Sequence, residues 1–370
     1  MARTRVGEVA IEYEEVGEGR PWVITPGGRF SMDSPGVREL AAALAERGNR
    51  VLIWDRPNCG ASDVCFTGPS ESAMQADILA GLLVDLDMAP AVIAGGSGGS
   101  RVSLLTAARH REVAAGLAMW WISGGVYGLM ILGVHYCGGS LTAAWNGGME
   151  AVAKLPEWAE VLERNPANRQ RFLDQDPGEF IATMERWMAA YCPCGDELVP
   201  GLPDAEGRRL DVPALVFRSG ASDFNHTRAT SEQLAGLLPN ARLVEPPWGD
   251  SEWNERSAAR PGGRGEGLFV GWPRLAPALQ AWADELKPSL PDGDQAWARG
   301  RAAERRQARP QGVPEQGWVG LTISCRSSDP VYSRNTSVSG TEGSSSHDVS
   351  IPYRKATISV PLTTGSTSAR

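Results

Sequence analysis

Short apolar runs separated by helix-length amphipathic segments recur along the first 290 residues, and their order predicts the architecture. Val6 to Glu15 alternates apolar and polar positions, the pattern of a half-buried edge strand. Trp22 to Thr25 and Val51 to Trp54 are short, nearly continuous apolar runs, as strands buried on both faces require. Between them, Ser34 to Arg47 sets Leu40, Ala43 and Leu44 on one helical face and is followed by Gly48, a helix stop. A second helix is predicted from Glu71 to Asp87, where Leu79, Leu82, Leu83 and Leu86 recur at helical spacing. Ala91 to Ala94 is the next buried strand, Arg101 to Arg109 its helix, and Leu117 to Ile122 a further strand. Strands and helices alternating in this way imply an α/β fold, a mostly parallel sheet with helices on both faces.

The alternation then stops. Residues 124–208 read as several helices rich in tryptophan and methionine, including Trp145, Met149, Trp158, Met184, Trp187 and Met188. They are expected to form an inserted helical cap, with these side chains as cap core or as the wall of a ligand cage. The sheet resumes with Ala214 to Phe217 and Ala241 to Val244, separated by a helix from Thr230 to Leu238, and a last helix is expected from Trp272 to Leu286. The domain plan is a core over 1–123, a cap over 124–208, the rest of the core over 209–289 and a tail over 290–370. Ser, Thr, Gly and Arg dominate the tail with little periodicity, and such a composition does not offset its ordering entropy by apolar burial. It is expected to be disordered and to take no part in the chemistry.

No Asp, Glu, Lys or Arg occurs from Val113 to Met149, and Leu117 to Val134 approaches the roughly 20 residues that span a bilayer. Gly124, Gly125, Gly128 and Gly133 interrupt it, and it begins where a core strand is due. A soluble strand running into an apolar, substrate-facing segment is therefore expected, and no membrane partner. The net charge of −8 offers no basic field to collect phosphates, so nucleic acid is not an expected partner either. Six scattered cysteines and an N-terminus unlike a signal peptide point to reduced thiols in a cytoplasmic protein. Cys192 and Cys194 form only a C-x-C, which reads as two ordinary thiols rather than a metal site. No phosphate loop or metal cluster is visible, and no cofactor is expected. The oligomeric state stays open.

Chemistry concentrates at Gly95 to Gly99. Gly-Gly-Ser-Gly-Gly lies between the run ending at Ala94 and the helix beginning near Arg101. Strand, Gly-x-Ser-x-Gly, helix is the order of a nucleophile elbow, a turn so sharp that only small residues fit beside the serine. Such a turn lifts the Ser97 hydroxyl above the sheet and aims the Gly98 N–H at a developing oxyanion.

Strand order, elbow and cap together resemble the α/β-hydrolase superfamily over roughly residues 5–288. Pro26-Gly27-Gly28 stands where that superfamily has His-Gly-Gly after its third strand, and the resemblance implies a second oxyanion N–H from Gly28 or Arg29. Asp55 to Ser62 resembles its Asp-x-Arg-Gly-x-Gly-x-Ser loop, with arginine moved to position 56 and Asn58 at a glycine position; asparagine tolerates left-handed backbone. Gly-Gly-Ser-x-Gly-Ser with a Cys-Gly turn is also similar to the proline iminopeptidases, whose tryptophan after the nucleophile is Gly98 here. Phe217 to Asp223 resembles the strand end where the superfamily holds its triad carboxylate. That implies Asp223 as the acid; a turn former or helix cap is its other reading.

The base is the problem. A serine hydroxyl attacks well when a neighbour accepts its proton, and histidine, with a pKa of about 6.5, suits this better than a carboxylate at about 4. The superfamily's histidine follows its eighth strand, but this chain reads Trp248-Gly249-Asp250 there, and no histidine lies between His226 and His347. His110 closes the helix after the elbow and gains from its dipole. His347 lies in the tail, and His135 near the cap, where it could line the pocket. His226, three residues past Asp223, is the candidate base, with Asp223 or Asp250 orienting its other nitrogen; an exposed loop histidine is the alternative. Asp250 reads equally as that orienting group, as a weak base, or as loop polarity. Trp120, Trp121, His135 and Trp145 are the expected pocket residues around a small apolar substrate. Arg29 reads as a contact for a substrate carboxylate or as a solvated loop charge.

Three functions fit this constellation. A rewired serine hydrolase would cleave a small apolar ester, lactone or carbon–carbon diketone through Ser97. A lyase or isomerase would use the same polar groups without an acyl-enzyme, and a binding protein would keep the pocket alone. The elbow favours the first, because a strained turn serves little purpose without a nucleophile. The displaced histidine favours the other two.

Overall fold

In the computed structural model, described over residues 1–192, 195–258 and 267–286, eight strands form one sheet. They are β1 (Ala2–Val6), β2 (Val9–Val16), β3 (Arg20–Thr25), β4 (Asn49–Trp54), β5 (Ala91–Gly96), β6 (Ala114–Trp120), β7 (Ala214–Phe217) and β8 (Ala241–Val244). Their order across the sheet is β1-β2-β4-β3-β5-β6-β7-β8. β2 runs antiparallel to β1 and β4, and every later pairing is parallel. The expected edge strand is thus a hairpin, turned at Gly7 with φ 58°. Its outer arm carries Arg3 and Arg5 at the sheet edge, so no apolar period marks it in the sequence.

Helices α1 (Val37–Ala45), α2 (Glu71–Asp85) and α3 (Gly98–Arg109) belong to the first half of the sheet. Between β6 and β7 come α4 (Val126–Gly133), α5 (Gly139–Val152), α6 (Pro156–Arg164), α7 (Ala167–Leu173), α8 (Pro177–Ala189) and α9 (Asp204–Gly207). The last part holds α10 (Arg228–Leu237), α11 (Glu252–Ala258) and α12 (Ala276–Glu285). The order of strands and helices is that of an α/β-hydrolase fold.

Each central strand divides its side chains between two cores, as the period of two requires. Leu52 and Trp54 of β4, Ile93 of β5, and Leu117 and Met119 of β6 enter the core shared with α2, α3 and the helical insertion. Val51 and Ile53, Val92 and Ala94, and Ala118 and Trp120 enter the opposite core, closed by α1 and α12. Full burial of each large aliphatic side chain contributes about 1.5–3 kcal/mol, so both faces hold the sheet.

Trp158, Met184 and Trp187 are buried inside the insertion. Trp158, Phe172 and Phe180 gather around Phe66 of the core at centroid distances of 5.8, 5.3 and 5.0 Å. The Trp and Met residues of this region are therefore mainly packing, and Trp145 stands 69% exposed. The charge-free stretch divides in two. Its first part is β6, paired on both sides in mid-sheet. By length and apolarity the helical run Val126–Arg164 could cross a bilayer. Its backbone is non-helical at Gly147 and Gly148, and α5 packs against α7 and α8. Cys59, Cys65 and Cys137 are free thiols. Cys194, Cys325 and the tail from 290 onward lie outside the described residues.

Candidate active site

β5 ends at Gly96, and Ser97 follows at φ 57°, ψ −124°, a conformation costly for any residue with a Cβ. Glycine makes the turn feasible. A Cβ on Gly99 would lie 2.0 Å from the Thr25 carbonyl oxygen, and one on Gly27 would lie 2.7 Å from Ser97 Cβ. The Ser97 N–H donates to the Trp120 carbonyl at 3.2 Å and the Ser100 hydroxyl donates to the Ser97 carbonyl at 2.6 Å, which lock the turn. Ser97 is 8% exposed and faces a cavity of about 720 Å³.

The loop after β7 carries the partner groups. Asp223 Oδ1 accepts the backbone N–H groups of Asn225 and His226, each at 3.0 Å, curling the chain back on itself. Asp223 Oδ2 accepts the His226 Nδ1–H at 2.8 Å, and the Ser97 hydroxyl, 2.8 Å away, donates to Nε2. The tautomer follows from the acid, since an ionised carboxylate accepts only. Thr227, the next residue, caps α10 by accepting the Thr230 N–H at 3.3 Å, so helix and turn fix the loop from both ends. Asp223 is therefore turn former and histidine partner at once. Asp223 and His226 are 3% and 1% exposed.

The imidazole is held by rings. Trp253 of α11 meets it edge-on at 4.4 Å and 86°, and Trp121 stacks behind it at 6.3 Å and 26°. Trp121 itself has φ 50°, a strained value for a bulky residue, and packs on Trp248 at 5.6 Å.

The space beside Ser97 has donors for a developing negative charge. Gly98 opens α3, so its N–H has no partner within its own helix. The Gly28 nitrogen lies 3.2 Å from where a Cβ on Gly98 would stand, so the two glycines are close neighbours next to the serine. Arg29 also lines the cavity. Its guanidinium meets Glu71 at two 3.3 Å contacts and lies 4.2 Å over Trp158. Arg29 is thus not a solvated charge, because the largely buried Glu71 carboxylate pairs with it. Behind the loop, Asp55 accepts the Met32 and Ala61 N–H groups at 2.8 Å each. Burial pushes its carboxyl up to about 6, against the pull of those two bonds. Asn58 adopts φ 71° and donates to Glu71 at 2.9 Å, so the left-handed turn expected of it is present.

Of the sequence candidates, Ser97, Gly98, Gly28, Asp223 and His226 come together. His135 lines the cavity, on a widened turn of helix at Val134–Gly138 that also presents Tyr136. Asp250 is not brought to the site. Its carboxylate is 63% exposed and pairs with Arg228, because Trp248 of the same loop packs inward on Trp121 and leaves Asp250 facing out. Trp120 is also corrected: it faces the opposite core, against Trp272 at 4.9 Å. Trp121 supports the histidine from behind rather than lining the cavity, and Trp145 faces outward on α5. His110 sits on the surface, 2.7 Å from Asp77. Gly27, Phe224 and Asn225, neighbours of the candidate residues, line the cavity too; Phe30, Tyr136, Trp253 and Phe269 also line it and had no signal in the sequence. Glu157 and Glu160 stand on its wall as well. Among the described residues no group of three His, Cys, Asp or Glu side chains is placed to hold a metal.

No protein-family profile matches the chain, and no curated protein matches its sequence. Solved structures do. A thermophilic esterase from Thermogutta terrifontis, solved with malate bound, is 20% identical at a TM-score of 0.50, covering 78% of this chain and 100% of its own. The enol-lactonase from Burkholderia xenovorans LB400 is 23% identical at a TM-score of 0.47, covering 77% and 100%. An esterase from Rhodococcus sp. ECU1013 is 22% identical at 0.48, covering 77% and 98%. The likeness is one of fold, the α/β-hydrolase fold.

Proposed function

We propose that this protein is a serine hydrolase that cleaves a small, largely apolar ester or lactone, with Ser97 as nucleophile, His226 as base and Asp223 as the group that orients it. The observation that carries this reading is the unbroken hydrogen-bond line Asp223 Oδ2, His226, Ser97 Oγ, with both links at 2.8 Å. It supplies the proton acceptor that the loop after β8 lacks, and the alternative readings rested on that lack.

Ser97 Oγ adds to the carbonyl carbon while its proton passes to His226 Nε2. The carbonyl π pair moves to oxygen, and the oxyanion meets the Gly98 and Gly28 N–H groups. Asp223 stabilises the imidazolium without taking its proton. Collapse of the tetrahedral species breaks the bond to the alcohol oxygen, which leaves with the proton from Nε2. Water, deprotonated by His226, then attacks the acyl-serine, and a second collapse frees the acid and restores Ser97. For a lactone both products are one hydroxy acid. The insertion acts as a cap: α4 and the turn at Val134–Gly138 bring Ile131, Leu132 and Tyr136 to the cavity, which favours an apolar substrate of modest size.

Hydrolysis of p-nitrophenyl acetate and butyrate by the wild-type chain and by Ser97→Ala tests the reading. Turnover by the wild type and its loss, by about 10⁴-fold or more, in the variant are expected. Equal turnover by the two proteins would overturn it.

A further inference from the structure

Arg56 is 2% exposed and forms no ion pair among the described residues. Leaving a guanidinium buried without a carboxylate is costly, so its surroundings must repay it. Glu71 is already held by Arg29, on the loop after β3. Arg56 instead spends one nitrogen on main-chain oxygens. Nη2 donates to the carbonyls of Gly28 at 2.5 Å and Gly27 at 3.2 Å, with Phe30 at 3.4 Å. Nη1 makes a long contact of 3.5 Å to Gln75 and lies 3.8 Å from where a Cβ on Gly98 would stand. Nε has no partner.

The two shortest of these carbonyls are special. The Gly27 carbonyl belongs to the same planar peptide unit as the Gly28 N–H, and the Gly28 carbonyl to the same unit as the Arg29 N–H. In a trans peptide the C=O and N–H point in opposite directions, so fixing one end aims the other. A cation bonded to the carbonyl also draws electron density from the nitrogen and strengthens the N–H as a donor. We infer that Arg56 is the positioning residue of the oxyanion hole, gripping from behind the two peptide units that carry the Gly28 and Arg29 N–H groups and holding a buried positive charge on their far side. This rests on the proposed hydrolase reading and goes beyond it. Because the charge lies behind the peptide units rather than in the open cavity, it serves an anion that forms against their N–H groups in the tetrahedral state.

Binding of phenylboronic acid, followed by calorimetry, tests this without knowledge of the substrate. Ser97 Oγ adds to boron, its proton passes to His226, and the tetrahedral boronate anion occupies the oxyanion position. Wild type is compared with Ser97→Ala, Arg56→Met and Arg56→Lys, and hydrolysis of p-nitrophenyl butyrate is measured alongside. Expected is a weakening of boronate affinity by about 10²–10³-fold in Arg56→Met, with kcat falling by a similar factor and KM little changed. Arg56→Lys, which keeps the charge and can reach one carbonyl, is expected to recover part of that loss. Should Arg56→Met fold poorly, Arg56→Lys alone still decides, since a weakened boronate complex at native melting temperature is required of it. Boronate affinity and kcat at wild-type levels in a folded Arg56 variant would overturn the assignment. Boronate binding that survives Ser97→Ala would instead overturn the hydrolase reading, and this assignment with it.

Discussion

One carboxylate, that of Asp223, holds both the backbone and the ring of His226: Oδ1 takes its N–H at 3.0 Å and Oδ2 its Nδ1–H at 2.8 Å. In the proposed mechanism an acid and base three residues apart on one loop do the work that two separate loops would otherwise share. The geometry is local, so the loop after β8 is free to carry Trp248 and Asp250 for other purposes.

Asp223→Asn separates the two jobs. An asparagine oxygen at the Oδ1 position still accepts the two backbone N–H groups, but its NH₂ then faces Nδ1 and forces the proton onto Nε2, where it opposes the Ser97 hydroxyl. A fall in kcat of about 10²–10⁴-fold is expected with the melting temperature nearly kept. Adding the substitution to His226→Ala should cost no more than about threefold, since the two act as a unit. Full additivity of the two losses would break the proposed line of bonds.

Asp250→Ala is expected to leave kcat within about twofold and stability within about 0.5 kcal/mol, because the pair with Arg228 is exposed. Steady-state kinetics and a melting curve check this. A loss near that of His226→Ala would return Asp250 to the chemistry.

Trp253 meets the imidazole edge-on at 4.4 Å. Its removal in Trp253→Ala frees the ring to turn, and a small misplacement of a base is expensive in rate, on the order of 10–100-fold in kcat. Trp253→Phe should recover most of it. An unchanged kcat in Trp253→Ala would mean that Asp223 alone orients the ring.

Much of this was legible in the sequence because its causes are local. Gly95 to Gly99 must be small whatever surrounds them, and the apolar runs of β3 to β7 report burial directly. His226 was found by elimination and by its distance of three residues from Asp223, which is also the distance that the turn imposes. Trp120 was misplaced because alternation along β6 sends neighbouring residues to opposite faces, and sequence does not say which face carries the cavity. Trp253, Tyr136 and Phe269 were invisible for another reason: they meet the site from segments far apart in the chain. Arg29 was misread because its partner, Glu71, lies 42 residues away.

The most direct measurement is labelling of the folded chain by a fluorophosphonate, with the adduct located by mass spectrometry and His226→Ala treated in parallel. The expected result is a single adduct on Ser97, formed at least about 10³-fold more slowly when His226 is removed. Labelling of Ser97 at the same rate without His226, or none at all in the folded wild type, would contradict the activation of Ser97 by His226.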